Sequence, residues 1–108
     1  MKLYIGGAWQ GQFELAQREN PEAAILNDFH EVIREAVNKG EDPRAFAQRI
    51  CEAQPDAVVV ANEVGAGIVP MIAEDRAFRE AVGRALCIIA QRADQVTRAV
   101  CGIGVRIK

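Results

Sequence analysis

Apolar residues fall along this chain into two kinds of segment: short unbroken runs, and longer stretches in which they return every three or four positions. The runs Lys2 to Ile5, Ala23 to Leu26, Ala57 to Ala61 and Val96 to Cys101, the last resuming at Val105, predict strands. Between them lie helical stretches. Gly11 to Arg18 stops before Asn20-Pro21. Asn27 or Asp28 is placed to cap a helix with Phe29, Val32, Ile33, Ala36 and Val37 on one face, ended by Gly40. Asp42-Pro43, a capping side chain followed by proline, opens a third helix that turns Phe46, Ala47 and Ile50 inward as far as Gln54-Pro55. A glycine-rich loop from Glu63 to Pro70 leads into a long helix, about Glu74 to Arg92, with Phe78, Ala81, Val82, Ala85 and Ile89 on one stripe.

Strands alternating with helices predict a mainly parallel sheet of about four strands with right-handed crossovers and helices on both faces, a three-layer α/β fold. Val58-Val59-Val60 offers water no polar alternation, so Ala57 to Ala61 is expected at the centre, paired with Lys2 to Ile5 and near Val96 to Cys101. The 108 residues suit one domain, 1–108. Half of them are hydrophobic, which excludes disorder.

Thirteen basic and fifteen acidic residues leave a net charge of -2 with no run of one sign, which argues against nucleic acid as a partner. The first residues lack a signal peptide's pattern and no window is long and apolar enough for a bilayer, so a cytoplasmic protein with no membrane partner is expected. Cys51, Cys87 and Cys101 are odd in number, far apart and set in apolar sequence; they are expected as buried hydrophobes rather than disulfides or, with one histidine in the chain, metal ligands.

Ligands of such sheets collect where the strands end, so the loops at Gly6 to Gly11, Asn27 to Phe29, Asn62 to Pro70 and Gly102 to Gly104 are the places to seek chemistry. The first has glycines spaced as in the phosphate-binding loop G-x-x-x-x-G-K-[ST], whose backbone N–H groups surround a phosphate at a helix N-terminus. Gly6, Gly7, Ala8 and Gly11 keep that frame. Gln12 stands where lysine would neutralise the β- and γ-phosphates, and Phe13 where a hydroxyl would hold Mg²⁺. Trp9 and Phe13 add bulk, suited to packing on the sheet edge or a neighbouring subunit as well as to stacking on a base. Asp28 could serve as an outer-shell Mg²⁺ ligand or as a cap, and Glu63 could orient a water or metal or fasten the backbone of Gly65 to Ile68. His30 reads as a cap-region or surface side chain, and Arg76 and Arg79 stand one turn apart on the long helix.

Asn62-Glu63-Val64-Gly65-Ala66-Gly67-Ile68-Val69-Pro70, then Arg76-Ala77-Phe78-Arg79, Gly83, Ala93-Asp94 and Gly102-Ile103-Gly104-Val105-Arg106-Ile107-Lys108, closely resemble the adenosylcobinamide kinase/adenosylcobinamide-phosphate guanylyltransferase family of cobalamin biosynthesis. Ala24-Ile25-Leu26-Asn27-Asp28 is similar to that family's acidic strand end, Gly40-Glu41-Asp42-Pro43 to a loop of the same region, and Gly6 to Phe13 more distantly to its G-G-A-R-S-G-K-S loop. The resemblance implies a P-loop NTPase-like fold, truncated here between the loop helix and the acidic strand, where the family carries the histidine that accepts GMP. It also implies GTP or ATP with Mg²⁺ as cofactor and a nucleotide or corrinoid ligand. Leu86-Cys87 replaces an Asn-Gln pair of the family.

With lysine and hydroxyl both absent, triphosphate affinity is expected to be weaker than about 0.1 mM. A shortened, non-catalytic homologue with a remnant phosphate loop, no catalytic residue and no metal is the reading favoured here. An active kinase or guanylyltransferase and a purely structural oligomerising domain are the alternatives. Leu86, Ile88 and Ile89 widen the apolar face of the long helix and point to self-association.

Overall fold

The computed structural model describes residues 1–63 and 73–108, and the side chains of 73–75 are not described. The chain runs β1 (Lys2–Gly6), α1 (Gln12–Glu19), β2 (Ile25–Leu26), α2 (Phe29–Asn38), α3 (Pro43–Ala53), β3 (Val58–Asn62), α4 (Ala73–Arg92), β4 (Gln95–Val100) and β5 (Ile103–Arg106). The strands form one sheet in the order β2-β3-β1-β4-β5. β1 lies between β3 and β4, parallel to both, with Leu3 level with Val59 and with Val96. Val58, Val59 and Val60 are buried, as expected of a strand covered on both sides.

Period-two alternation divides the sheet's residues between two cores. Leu3, Val59, Ala61 and Val96 face α2, α3 and α4, where Phe29, Ile33, Ala47, Val82, Ala85 and Ile89 meet them. Tyr4, Val58, Val60 and Ala99 face the other way, against Leu15 and Ala16 of α1. The Phe29 and Phe46 rings stack at 6.1 Å, tying α2 to α3. Asp42 caps α3 by accepting the Ala45 N–H at 2.9 Å, ahead of Pro43.

Several expectations change. The sheet has five strands, because Cys101 and Gly102, at φ 51° and 77°, make a two-residue turn that brings β5 back antiparallel to β4. That turn exposes Cys101, and Cys87 lies on the outer side of α4, so only Cys51 of the three is the buried hydrophobe expected. Val32 is exposed at the edge of the α2 stripe. Leu86 and Ile88 are partly buried against the protein's own core, which removes most of the bare apolar face expected of α4. The glycine-rich loop from Glu63 to Pro70 lies, past its first residue, outside the described residues. Among the described residues no helix is long and apolar enough to cross a membrane.

Candidate functional site

β1 ends at Gly6 and α1 starts at Gln12, so the five residues between them form a loop at the carboxyl end of the sheet. A cavity of about 660 Å³ opens there, lined by Ala8 and Gly11 of the loop, Gln12 and Phe13 of α1, Asp28 at the N-terminus of α2 and Asn62 at the end of β3. Its volume is within the range of small-molecule sites. Gly11, at φ 86°, turns the chain into α1 in a conformation that favours glycine. Gly6 tolerates no side chain, since a Cβ would stand 2.8 Å from the Ala99 carbonyl oxygen.

Gln12 decides the chemistry of this loop. Its side chain is buried, and its amide nitrogen donates to the Asn62 Oδ1 at 2.8 Å and to the carbonyls of Gly7 and Gly6 at 3.1 and 3.2 Å. The amide thus fastens the loop to the end of β3 rather than reaching into the cavity. Asn62 in turn donates its backbone N–H to Nδ1 of His30 at 3.1 Å, so His30, in the cap region of α2 as one of its two readings expected, is buried rather than at the surface. From the hairpin side, the Gln10 carbonyl accepts the Gly102 N–H at 2.8 Å and its side-chain Oε1 accepts the Cys101 N–H at 2.7 Å. The loop is clamped between β3 and the β4–β5 turn.

The other expected site residues divide. Ala8, Gly11, Gln12, Phe13 and Asp28 line the cavity, whereas Gly6 and Gly7 serve it indirectly through the carbonyls that hold Gln12. Asp28 occupies the N-cap of α2 but at φ 51° its side chain makes no capping bond, so its carboxylate stays exposed beside Asn27. Glu63 turns away from the cavity and pairs with Arg98 at 3.3 Å, and its expected contacts with Gly65 to Ile68 lie outside the described residues. Trp9 does not pack on the sheet edge, the first of its expected places: it is 99% exposed at the cavity rim, at φ 65°. Arg18 and Gly102 also line the cavity. Sequence reasoning placed Gly102 in a strand-end loop but gave Arg18 no role; its spacing from Glu14, one helical turn, was the available signal.

Mg²⁺-triphosphate does not fit these residues. Phe13 presents a ring where the metal would need oxygen, Gln12 is neutral and internally bonded, and no cluster of three histidine, cysteine or acidic side chains suited to a metal occurs among the described residues. What the loop offers is the N-terminus of α1 and a cavity lined, among the described residues, by the cation Arg18 and the carboxylates of Glu14 and Asp28.

Two curated proteins and one family model are similar to this chain. Over 79 residues, 73% of this chain, it is 38% identical to the bifunctional adenosylcobalamin biosynthesis protein CobU of Escherichia coli (strain K12), of which that stretch is 42%. Over 59 residues, 54% of this chain, it is 49% identical to the protein of the same name from Salmonella typhimurium, covering 33% of that relative. The matched stretches therefore cover less than half the length of these curated relatives. The model of the cobinamide kinase / cobinamide phosphate guanyltransferase family matches residues 9–107, and with a P-loop NTPase-like α/β sheet beneath that match, the chain belongs to this family.

Proposed function

We propose that this chain is a non-catalytic member of its family that keeps a remnant phosphate-binding loop and uses it to hold a small anionic ligand, nucleotide- or corrinoid-related, without transferring a group. The observation that carries this reading is the engagement of Gln12. A lysine at the same position would have a charge to direct at the ligand; the Gln12 amide is spent on Gly6, Gly7 and Asn62. Phosphoryl transfer depends on positioning and on charge neutralisation, and losing two charge-assisted contacts of about 1.5 to 3 kcal/mol each removes at least about a hundredfold in rate.

Isothermal titration with GTP, ATP and adenosylcobinamide, each with Mg²⁺, tests the proposal. Triphosphate affinity weaker than about 0.1 mM is expected. The double change Gln12→Lys with Phe13→Ser is expected to strengthen it, because the glycine frame is in place. Micromolar triphosphate binding by the unaltered chain would overturn the expected weak affinity, and phosphorylation of adenosylcobinamide by the purified protein would refute a non-catalytic role.

A further inference from the structure

β2 ends at Leu26, level with Val59, while β3 runs on to Asn62. Val58 donates its N–H to the Ala24 carbonyl at 3.0 Å, towards the β2 side. In a parallel ladder every second residue turns its N–H to the same neighbour, so the Asn62 N–H points to the side that β2 has already left. Glu63, one residue on, turns the other way and donates to the Gly6 carbonyl of β1 at 2.8 Å. A backbone N–H shut off from water and left unpaired is costly, and the sheet itself supplies no acceptor at this position.

His30 fills the gap. Asp28, at φ 51°, turns the chain into α2 and brings His30, the second residue of that helix, against the end of β3. Its Nδ1 accepts the Asn62 N–H at 3.1 Å, and its side chain is 9% exposed. A ring nitrogen that accepts carries no proton, so the ring's proton lies on Nε2, 3.9 Å from the Glu31 carboxylate. Beyond Asn62 the connection continues to the loop. Asn62 Oδ1 accepts the Gln12 amide at 2.8 Å, and the same Gln12 nitrogen holds the carbonyls of Gly6 and Gly7. On the far side of the loop Gln10 receives the N–H groups of Cys101 and Gly102. His30 itself does not line the cavity.

We propose that His30 is a positioning residue for the ligand loop: through Asn62 and Gln12 it fixes where the Gly6 and Gly7 carbonyls and the N-terminus of α1 stand, without touching the ligand. This rests on the reading of the cavity as an anion site. The role needs one thing of residue 30, an acceptor atom two bonds from Cβ. Asparagine supplies that atom in its Oδ1, whereas leucine fills the space and offers none.

Amide exchange in the ligand-free protein, compared among the unaltered chain, His30→Leu and His30→Asn, tests the connection. In His30→Leu, exchange at Asn62, Cys101 and Gly102 is expected to speed up about tenfold, while Leu3 and Val59, in the filled core, stay slow. In His30→Asn all five amides are expected to exchange at about the unaltered rate. The ring's ¹⁵N spectrum is expected to show an unprotonated Nδ1 and a protonated Nε2. Inorganic phosphate then probes the site: its half-saturating concentration is expected to rise about fivefold in His30→Leu and to return in His30→Asn. Acceleration confined to Asn62, acceleration spread evenly over the core, an asparagine variant as fast as the leucine one, or a protonated Nδ1 would each overturn the role of His30. Equal phosphate affinity in the three proteins would overturn it too, whereas no phosphate binding by the unaltered chain would overturn the anion-site reading on which it rests.

Discussion

The two faces of this sheet are built from alternate residues of the same strands, yet they hold different things. On one face Leu3, Val59 and Val96 meet three helices, and the space is filled by Phe29, Ile33, Val82 and Ile89. The other face meets one eight-residue helix, α1. Beside Leu15 and Ala16, that side holds a chain of polar side chains: Tyr4 donates to Glu19 at 2.6 Å, Asn20 donates to the Tyr4 hydroxyl at 3.0 Å, and Lys2 donates to Asn20 at 3.0 Å. Towards the strand ends the same side opens into the cavity. Thin cover leaves room for a ligand and makes hydrogen bonds, rather than apolar packing, responsible for order there. The filled face supplies the rigidity against which the loop is held.

The comparison is broken most forcefully at the filled face. Ile89 of α4 is fully buried in the core shared with α3 and the sheet, so Ile89→Ala is expected to cost about 2 to 5 kcal/mol, the sum of lost transfer energy and a cavity that rigid neighbours cannot close. Urea denaturation measures it directly. A loss below about 1 kcal/mol would mean that this face is as loosely filled as the other.

A smaller effect is expected on the thin face, where Gln12→Ala leaves the Asn62 side chain and the carbonyls of Gly6 and Gly7 without their shared donor. Buried polar groups left unsatisfied cost about 1 to 3 kcal/mol, less here because water enters from the cavity. The accompanying signature is local: amide exchange in residues 7–11 accelerates while that of β3 stays slow. Uniform acceleration throughout the chain would show that Gln12 supports the whole fold instead of the loop.

This division explains what could be read from the sequence. The filled face was legible because its signal is repetition: the β-branched run at Val58 to Val60 and the stripe Phe78, Ala81, Val82, Ala85, Ile89 state period and burial in residue type alone. The loop frame was legible through Gly6 and Gly11. What Gln12 does was not, because its role depends on Asn62, fifty positions away, and on carbonyls whose direction no residue type announces. His30 stands in the cap region, one of its two expected places, but its burial was not legible for the same reason, its partner being the backbone N–H of Asn62. The hairpin was missed because Cys101 takes a positive φ that asparagine or glycine would have advertised.

The finest test of the comparison uses the chain's single tyrosine. Burial beneath α1 raises the Tyr4 hydroxyl pKa above its ordinary value of 10.0, and the hydrogen bond and negative charge of Glu19 raise it further, against a smaller opposing effect of the Asn20 donor. The folded protein then holds this proton more tightly than the unfolded chain does. The stability linked to it is complete below pH 10 and is lost as pH rises through the folded value. Tyr4→Phe removes the hydroxyl and is expected to cost about 0.5 to 1.5 kcal/mol at neutral pH for each hydrogen bond lost. Because phenylalanine does not titrate, the gap between the two proteins is expected to narrow as the pH passes 10, and phenolate absorbance, which only Tyr4 contributes, is expected to rise later in the folded chain than in urea. A gap that is constant with pH, or an ordinary phenolate midpoint in the folded protein, would show that water reaches Tyr4 and that the polar chain under α1 is a surface feature instead of the thin face's substitute for a core.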